Sequence, residues 1–205
     1  MVLLRAFAAG LIILQAGLIF SQDYTKVIKA FETSYKLENQ KKLSEAIKTL
    51  LVVYDEKGYE VNVRLGWLYY QAGKFEESVS YYNKAIVLMP YAVEPHWGIA
   101  LPLDALKRTD DLIPHYKKIL EINPDNSVAL YRMGMIHYYK KEYTVAEKYF
   151  DKVINLYPFD YDGLVMAAWT KLQLKNTREA KILFNKALMR MPSGASALEG
   201  LALLK

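Results

Sequence analysis

The side chains in this sequence best suited to holding a metal are three histidines, His96, His115 and His137. A metal centre needs three or four ligands brought to one point, usually spaced in short motifs. These three are scattered, and there is no cysteine to join them. The segment FDYDG (159–163) carries alternate carboxylates as a calcium loop does, but it lacks the third acidic position and the distal glutamate. A helix N-cap turn accounts for it. No Gly-x-Ser-x-Gly elbow, glycine-rich phosphate loop or HExxH segment occurs. The sequence points to no enzyme, metal or cofactor chemistry. Its surplus is aromatic: 17 tyrosines and 3 tryptophans, a composition suited to recognition by contact.

The elements that must position these rings are written as a period. HYKKILEINP (115–124) has counterparts in YYNKAIVLMP (81–90), YFDKVINLYP (149–158) and LFNKALMRMP (183–192), one every 34 residues. Counting positions 1–34 from Tyr59, Val93, Ser127 and Tyr161 aligns the chain without a gap. Position 8 is always small (Gly66, Ala100, Gly134, Ala168) and position 24 always aromatic (Tyr82, Tyr116, Phe150, Phe184). Position 20 is Ser78, Leu112, Ala146, Ala180, and position 27 is Ala85, Ile119, Val153, Ala187. Position 32 is Pro90, Pro124, Pro158, Pro192. Apolar or small residues at 4, 7, 8 and 11 mark one helix face, and those at 20, 24, 27 and 28 mark a second. Proline at 32 cannot continue the second helix. Lysine at 26 (Lys84, Lys118, Lys152, Lys186) sits near a helix C-terminus, where the macrodipole favours it. The histidines fall at positions 4, 23 and 11 and are expected not to converge. Pro102, mid-helix in EPHWGIALPLDALKR (94–108), predicts a bend eased by Gly98.

Two helices per 34 residues, with small, small, aromatic, small and proline at 8, 20, 24, 27 and 32, resemble the tetratricopeptide repeat (TPR). LGWLYYQAGKFEESVSYYNKAIVLMP (65–90) is close to the family pattern. The resemblance implies an all-α fold, a right-handed superhelical α-solenoid of helix-turn-helix units that bury their apolar faces by stacking. Repeats are expected at 59–92, 93–126, 127–160 and 161–194. Residues 22–58 read as a degenerate first pair, with Ala46 and Leu50 at positions 20 and 24 and Gly58 in the place of the proline. Residues 195–205 read as a capping helix.

In the family the first helices line a concave groove through positions 2, 5, 9, 12 and 13. Carried onto this chain, those positions include Glu60, Trp67, Tyr70, Glu94, Trp97, Leu101, Asp104, Val128, Tyr131, Met135, Tyr138, Tyr139 and Trp169. All three tryptophans fall on them. One reading is that these rings pack between helices. The other is a recognition surface for a protein or peptide with apolar side chains and a basic flank. The lysine, arginine and asparagine that hold a C-terminal carboxylate in some relatives are missing at these positions. An alternative of a different class is stacking on envelope glycans.

The first residues, MVLLRAFAAGLIILQAGLIFSQ, have one arginine, an apolar run and a small residue at Ser21, the pattern of a secretion signal over 1–21. An uncleaved anchor is the alternative, although the run is short against the ~20 residues of a spanning helix. The reading is an exported protein, periplasmic or associated with the cell envelope. The net charge of +5 includes Arg5, so removing that segment leaves +4, with lysines dispersed. That is no nucleic-acid footprint. In the cap, Ala195, Leu198, Leu201 and Ala202 are expected to face inward. Ala197, Gly200, Leu203 and Leu204 are left for other faces, so the C-terminal helix is a candidate for self-association.

Overall fold

Apolar and small residues recur along this chain with the period of a helix, and helices are what form. The structure is a computed structural model and describes residues 24–204; the expected export segment, 1–21, lies outside them. Among the described residues there are eleven helices and no strand. They are α1 (Tyr24–Asn39), α2 (Leu43–Leu51), α3 (Tyr59–Gln71), α4 (Phe75–Leu88), α5 (Val93–Ala105) and α6 (Thr109–Ile122). Then come α7 (Ser127–Tyr139), α8 (Tyr143–Leu156), α9 (Tyr161–Gln173), α10 (Thr177–Arg190) and α11 (Ala195–Ala202). The fold is an all-α solenoid of helix-turn-helix units.

Each helix stops for a local reason. The second helices end at Leu88, Ile122, Leu156 and Arg190, two residues before a proline, because proline steers the residue before it out of the helical region. The first helices end in a left-handed residue: Lys41 (φ 60°), Gly73 (72°), Lys107 (59°), Lys141 (60°) and Lys175 (67°). The next N–H then reaches back five residues to a carbonyl, as from Arg108 to Leu103 and from Glu142 to His137, each 2.9 Å, satisfying a carbonyl the helix leaves open. Only glycine adopts this conformation without strain, and other residues lose ~1–2 kcal/mol there. Glycine returns part of that gain as chain entropy. Lys141→Gly is therefore expected to stabilise the protein by up to about 1 kcal/mol. A thermal melt checks this, and a lowered midpoint contradicts it.

The described residues form two compact units, one up to Lys84 and one from Ala85 onward. In the first, α1 packs on α2 and α2 on α3, around Ala30, Ala46, Ile47, Leu50, Val61, Leu65 and Leu68. In the second, each helix from α5 to α11 packs on the next, and α9 also touches α7 and α11. Phe150 and Phe184 are fully buried at the centre of its cluster. The pairing of small position 8 with aromatic position 24 is steric. A Cβ added to Gly134 would come within 2.6 Å of the Phe150 ring, and one on Gly66 within 2.9 Å of Tyr82. These two repeats thus seat the ring close against the backbone of their own first helix.

Helix α5 runs unbroken through Pro102, which lies in its last turn, where the missing N–H removes a single hydrogen bond. In α11 the inward residues are Ala197 and Gly200, both buried, and not Ala195, Leu198 and Ala202, which are exposed. A Cβ on Gly200 would meet Phe184 at 2.1 Å. Among the described residues no second helix follows α11, and none of them covers the face that positions 4 and 8 use in a full repeat. Leu204 packs against the core cluster, while Leu198 and Leu203 remain exposed.

Candidate functional site

Some groove positions of the second unit, together with the start of α6, line an open cleft between α5 and α7. Its volume is about 950 Å³. Trp97 and Leu101 come from α5, and Val128, Met135 and Tyr139 from α7. Their 4- and 7-residue spacings keep them on one face of each helix. The Trp97 ring packs on Tyr116 of α6 (centroids 5.6 Å apart), which holds the indole at the cleft wall. Tyr116 is itself buried, and burial raises its phenol pKa, with Arg132 pulling down and Asp104 pushing up.

A charged rim surrounds this apolar floor. Lys140 Nζ lies 2.7 Å from Asp110 and Arg108 Nε 2.6 Å from Asp111. Both pairs are solvent-exposed and so contribute little to stability. Together they anchor the turn between α5 and α6 to the end of α7. Arg132 also lines the cleft. Groove arithmetic missed it, since it stands at position 6, but it follows Val128 by four residues and precedes Ile136 by four, so the helical stripe itself is the signal.

A second cleft of about 500 Å³ adjoins the first and shares Val128 and Arg132 with it. Tyr131, Tyr157, Asp160 and Asp162 line it. Burial raises the Tyr131 phenol pKa, and Asp162 and Asp160 add to the rise. Asp160 caps α9, its carboxylate accepting from the Gly163 N–H at 2.7 Å, which is the role read for FDYDG.

The remaining candidate residues serve packing. Trp169 donates Nε1–H to Ser196 Oγ (2.8 Å) and meets Phe184 edge-on, tying α9 to α11. Tyr138 packs on Tyr139 and Tyr143. In the first unit, Trp67 donates Nε1–H to Glu38 (2.6 Å), and the other oxygen of that carboxylate holds the buried Arg64 at 2.6 Å. Tyr70 leans on Trp67 and Phe75. Glu60 and Glu94 are exposed in first turns, where a carboxylate complements the helix dipole.

The histidines require a correction. His96 and His115 do converge, Nδ1 to Nδ1 at 3.0 Å, because positions 4 and 23 face each other across the two helices of one repeat. His137 stands apart, bonded to Glu142 and stacked on Tyr149. Among the described residues no three metal-ligating side chains cluster.

Residues 59–92 and 127–160 match the tetratricopeptide repeat family model. A tetratricopeptide repeat protein from Parabacteroides merdae superimposes with a TM-score of 0.74 at 23% identity, covering 88% of this chain and 72% of that one. YrrB, described as a TPR protein with an unusual peptide-binding site, gives 0.72 at 18% identity over 92% and 96%. MamA gives 0.72 at 18% identity over 83% and 94%. Bovine (Bos taurus) peptidyl-prolyl cis-trans isomerase FKBP4 is 23% identical over 149 residues, which is 64% of this chain and 30% of the relative. The chain thus spans under a third of that protein. At these identities the likeness is one of fold.

Proposed function

We propose that this chain, which carries tetratricopeptide repeats, is an exported adaptor that binds a partner protein or peptide through the aromatic groove of its first helices. The observation that carries this reading is the cleft between α5 and α7. It presents Trp97, Leu101 and Met135 as an apolar floor under a rim whose charges are largely paired with one another. Such a surface gains from burying an apolar side chain while leaving the ion pairs in water. Its aromatic wall is backed by a fully packed repeat, so little ordering is required on binding. YrrB's peptide-binding site is compatible with this use of the fold.

Leu101 is 41% exposed, so it can be changed without disturbing the core. Peptides selected from a random library on the full-length chain should share one large apolar residue and should lose binding to Leu101→Glu. Selected peptides that bind both proteins equally would place the partner elsewhere. The export half of the proposal rests on the N-terminal sequence. N-terminal sequencing of the protein made by its own cell is expected to begin near Gln22, and a chain retaining Met1 would mean an anchor.

A further inference from the structure

We infer that the His96–His115 pair makes the cleft acid-sensitive, so that the bound partner is released as the pH falls below about 6. This rests on the cleft being the partner site; neither histidine lines it, but the pair lies directly beside the ring contact that does. Each histidine directly precedes one member of the Trp97–Tyr116 ring contact, one on α5 and the other on α6.

The geometry sets the chemistry. Two Nδ1 atoms 3.0 Å apart share one proton, so one ring must donate and the other accept. The bond requires at least one neutral ring. His96 is 5% exposed. A second proton would place like charges side by side, with the His96 ring buried and His115 half-buried. Burial first and then His96 push His115 down, against an upward pull from Asp111, to about 4. Burial also lowers His96, against a smaller upward pull from the Pro90 carbonyl, and Lys118 lowers it again. Lys118 and Asp111 both belong to α6, and Arg132 of α7, which packs on α6, acts on the neighbouring Tyr116.

The sign follows from these directions. The closed pair binds fewer protons than separated histidines, whose ordinary pKa is 6.5. Its stability is complete above that value and drains as the pH falls from 6.5 toward 4, by up to tenfold per unit for each ring. Separation of α5 from α6 removes the support of Trp97, and the apolar floor opens.

Hydrogen exchange on the full-length chain without partner tests this independently of any ligand. Between pH 7.4 and 5.0, after correction for intrinsic rates, protection of α5 and α6 amides should fall at least about tenfold while α10 holds. His115→Gln, which cannot take a proton, should shrink the difference to the share that His96 carries. Equal protection of wild type at both pH values would overturn the switch, as would an equal loss in the variant. An NMR titration placing the His115 midpoint at its ordinary value would also overturn it, and this measurement needs no variant to fold. For a selected peptide, affinity should fall over the same range in wild type and less steeply in His115→Gln. If peptides bind elsewhere while α5 and α6 still loosen in acid, the switch stands and the proposed site fails.

Discussion

Phe150→Ala is expected to cost the unit spanning Ala85–Lys205 about 3–5 kcal/mol. The ring is fully buried. It fills the space left by the missing side chain of Gly134, and Tyr131 meets it edge-on at 5.8 Å. Removing it leaves a cavity among α7, α8 and α9 that the backbone of α7 cannot collapse into without drawing Tyr131 with it. Tyr139→Ala is the comparison, because that ring is 73% exposed and its loss should stay within about 0.5 kcal/mol. Urea titration of both variants beside wild type measures the difference. A cost below about 1 kcal/mol for Phe150→Ala would mean that the ring-on-glycine contact does not hold the repeat together.

The second large effect is on binding. Trp97→Ala should weaken a selected peptide by ~1–3 kcal/mol, roughly 5- to 150-fold, since an aromatic anchor at the centre of a contact surface supplies much of its energy. Trp169→Ala makes the informative contrast. That indole is committed to Ser196 and Phe184, so its loss should loosen the cap and leave peptide affinity unchanged. The two tryptophans occupy equivalent first-helix faces in the sequence, and only their surroundings tell them apart. Equal effects of the two substitutions on affinity would remove the distinction between anchor and packing residue.

That contrast marks how far the sequence could be read. The repeat was legible because its causes are local and steric. Glycine or alanine at 8, an aromatic at 24 and proline at 32 fix where helices begin, meet and stop. The N-cap role of Asp160 was legible for the same reason, since donor and acceptor are three residues apart. What could not be read depends on partners distant in the chain. Trp67 is anchored by Glu38 and Trp169 by Ser196, 29 and 27 residues away. The histidine pair was misread because a helical period gives the face on which a residue lies and not which faces oppose. The cap was misread because its periodicity assumed a second helix that does not follow among the described residues. The left-handed lysines carry no signal in their own chemistry; only their recurrence in the place of Gly73 betrays the turn.

The most direct measurement is site-specific photo-cross-linking of a selected peptide to the full-length chain. A benzoylphenylalanine would be placed at Leu101 in the cleft or, in a separate protein, at Ile182 on α10. Both side chains are exposed, at 41% and 48%, so neither substitution disturbs the core, and Ile182 does not line the cleft. The account predicts a peptide adduct at 101, competed away by unlabelled peptide and lost with Trp97→Ala, and none at 182. An adduct at 182 with none at 101 would contradict it.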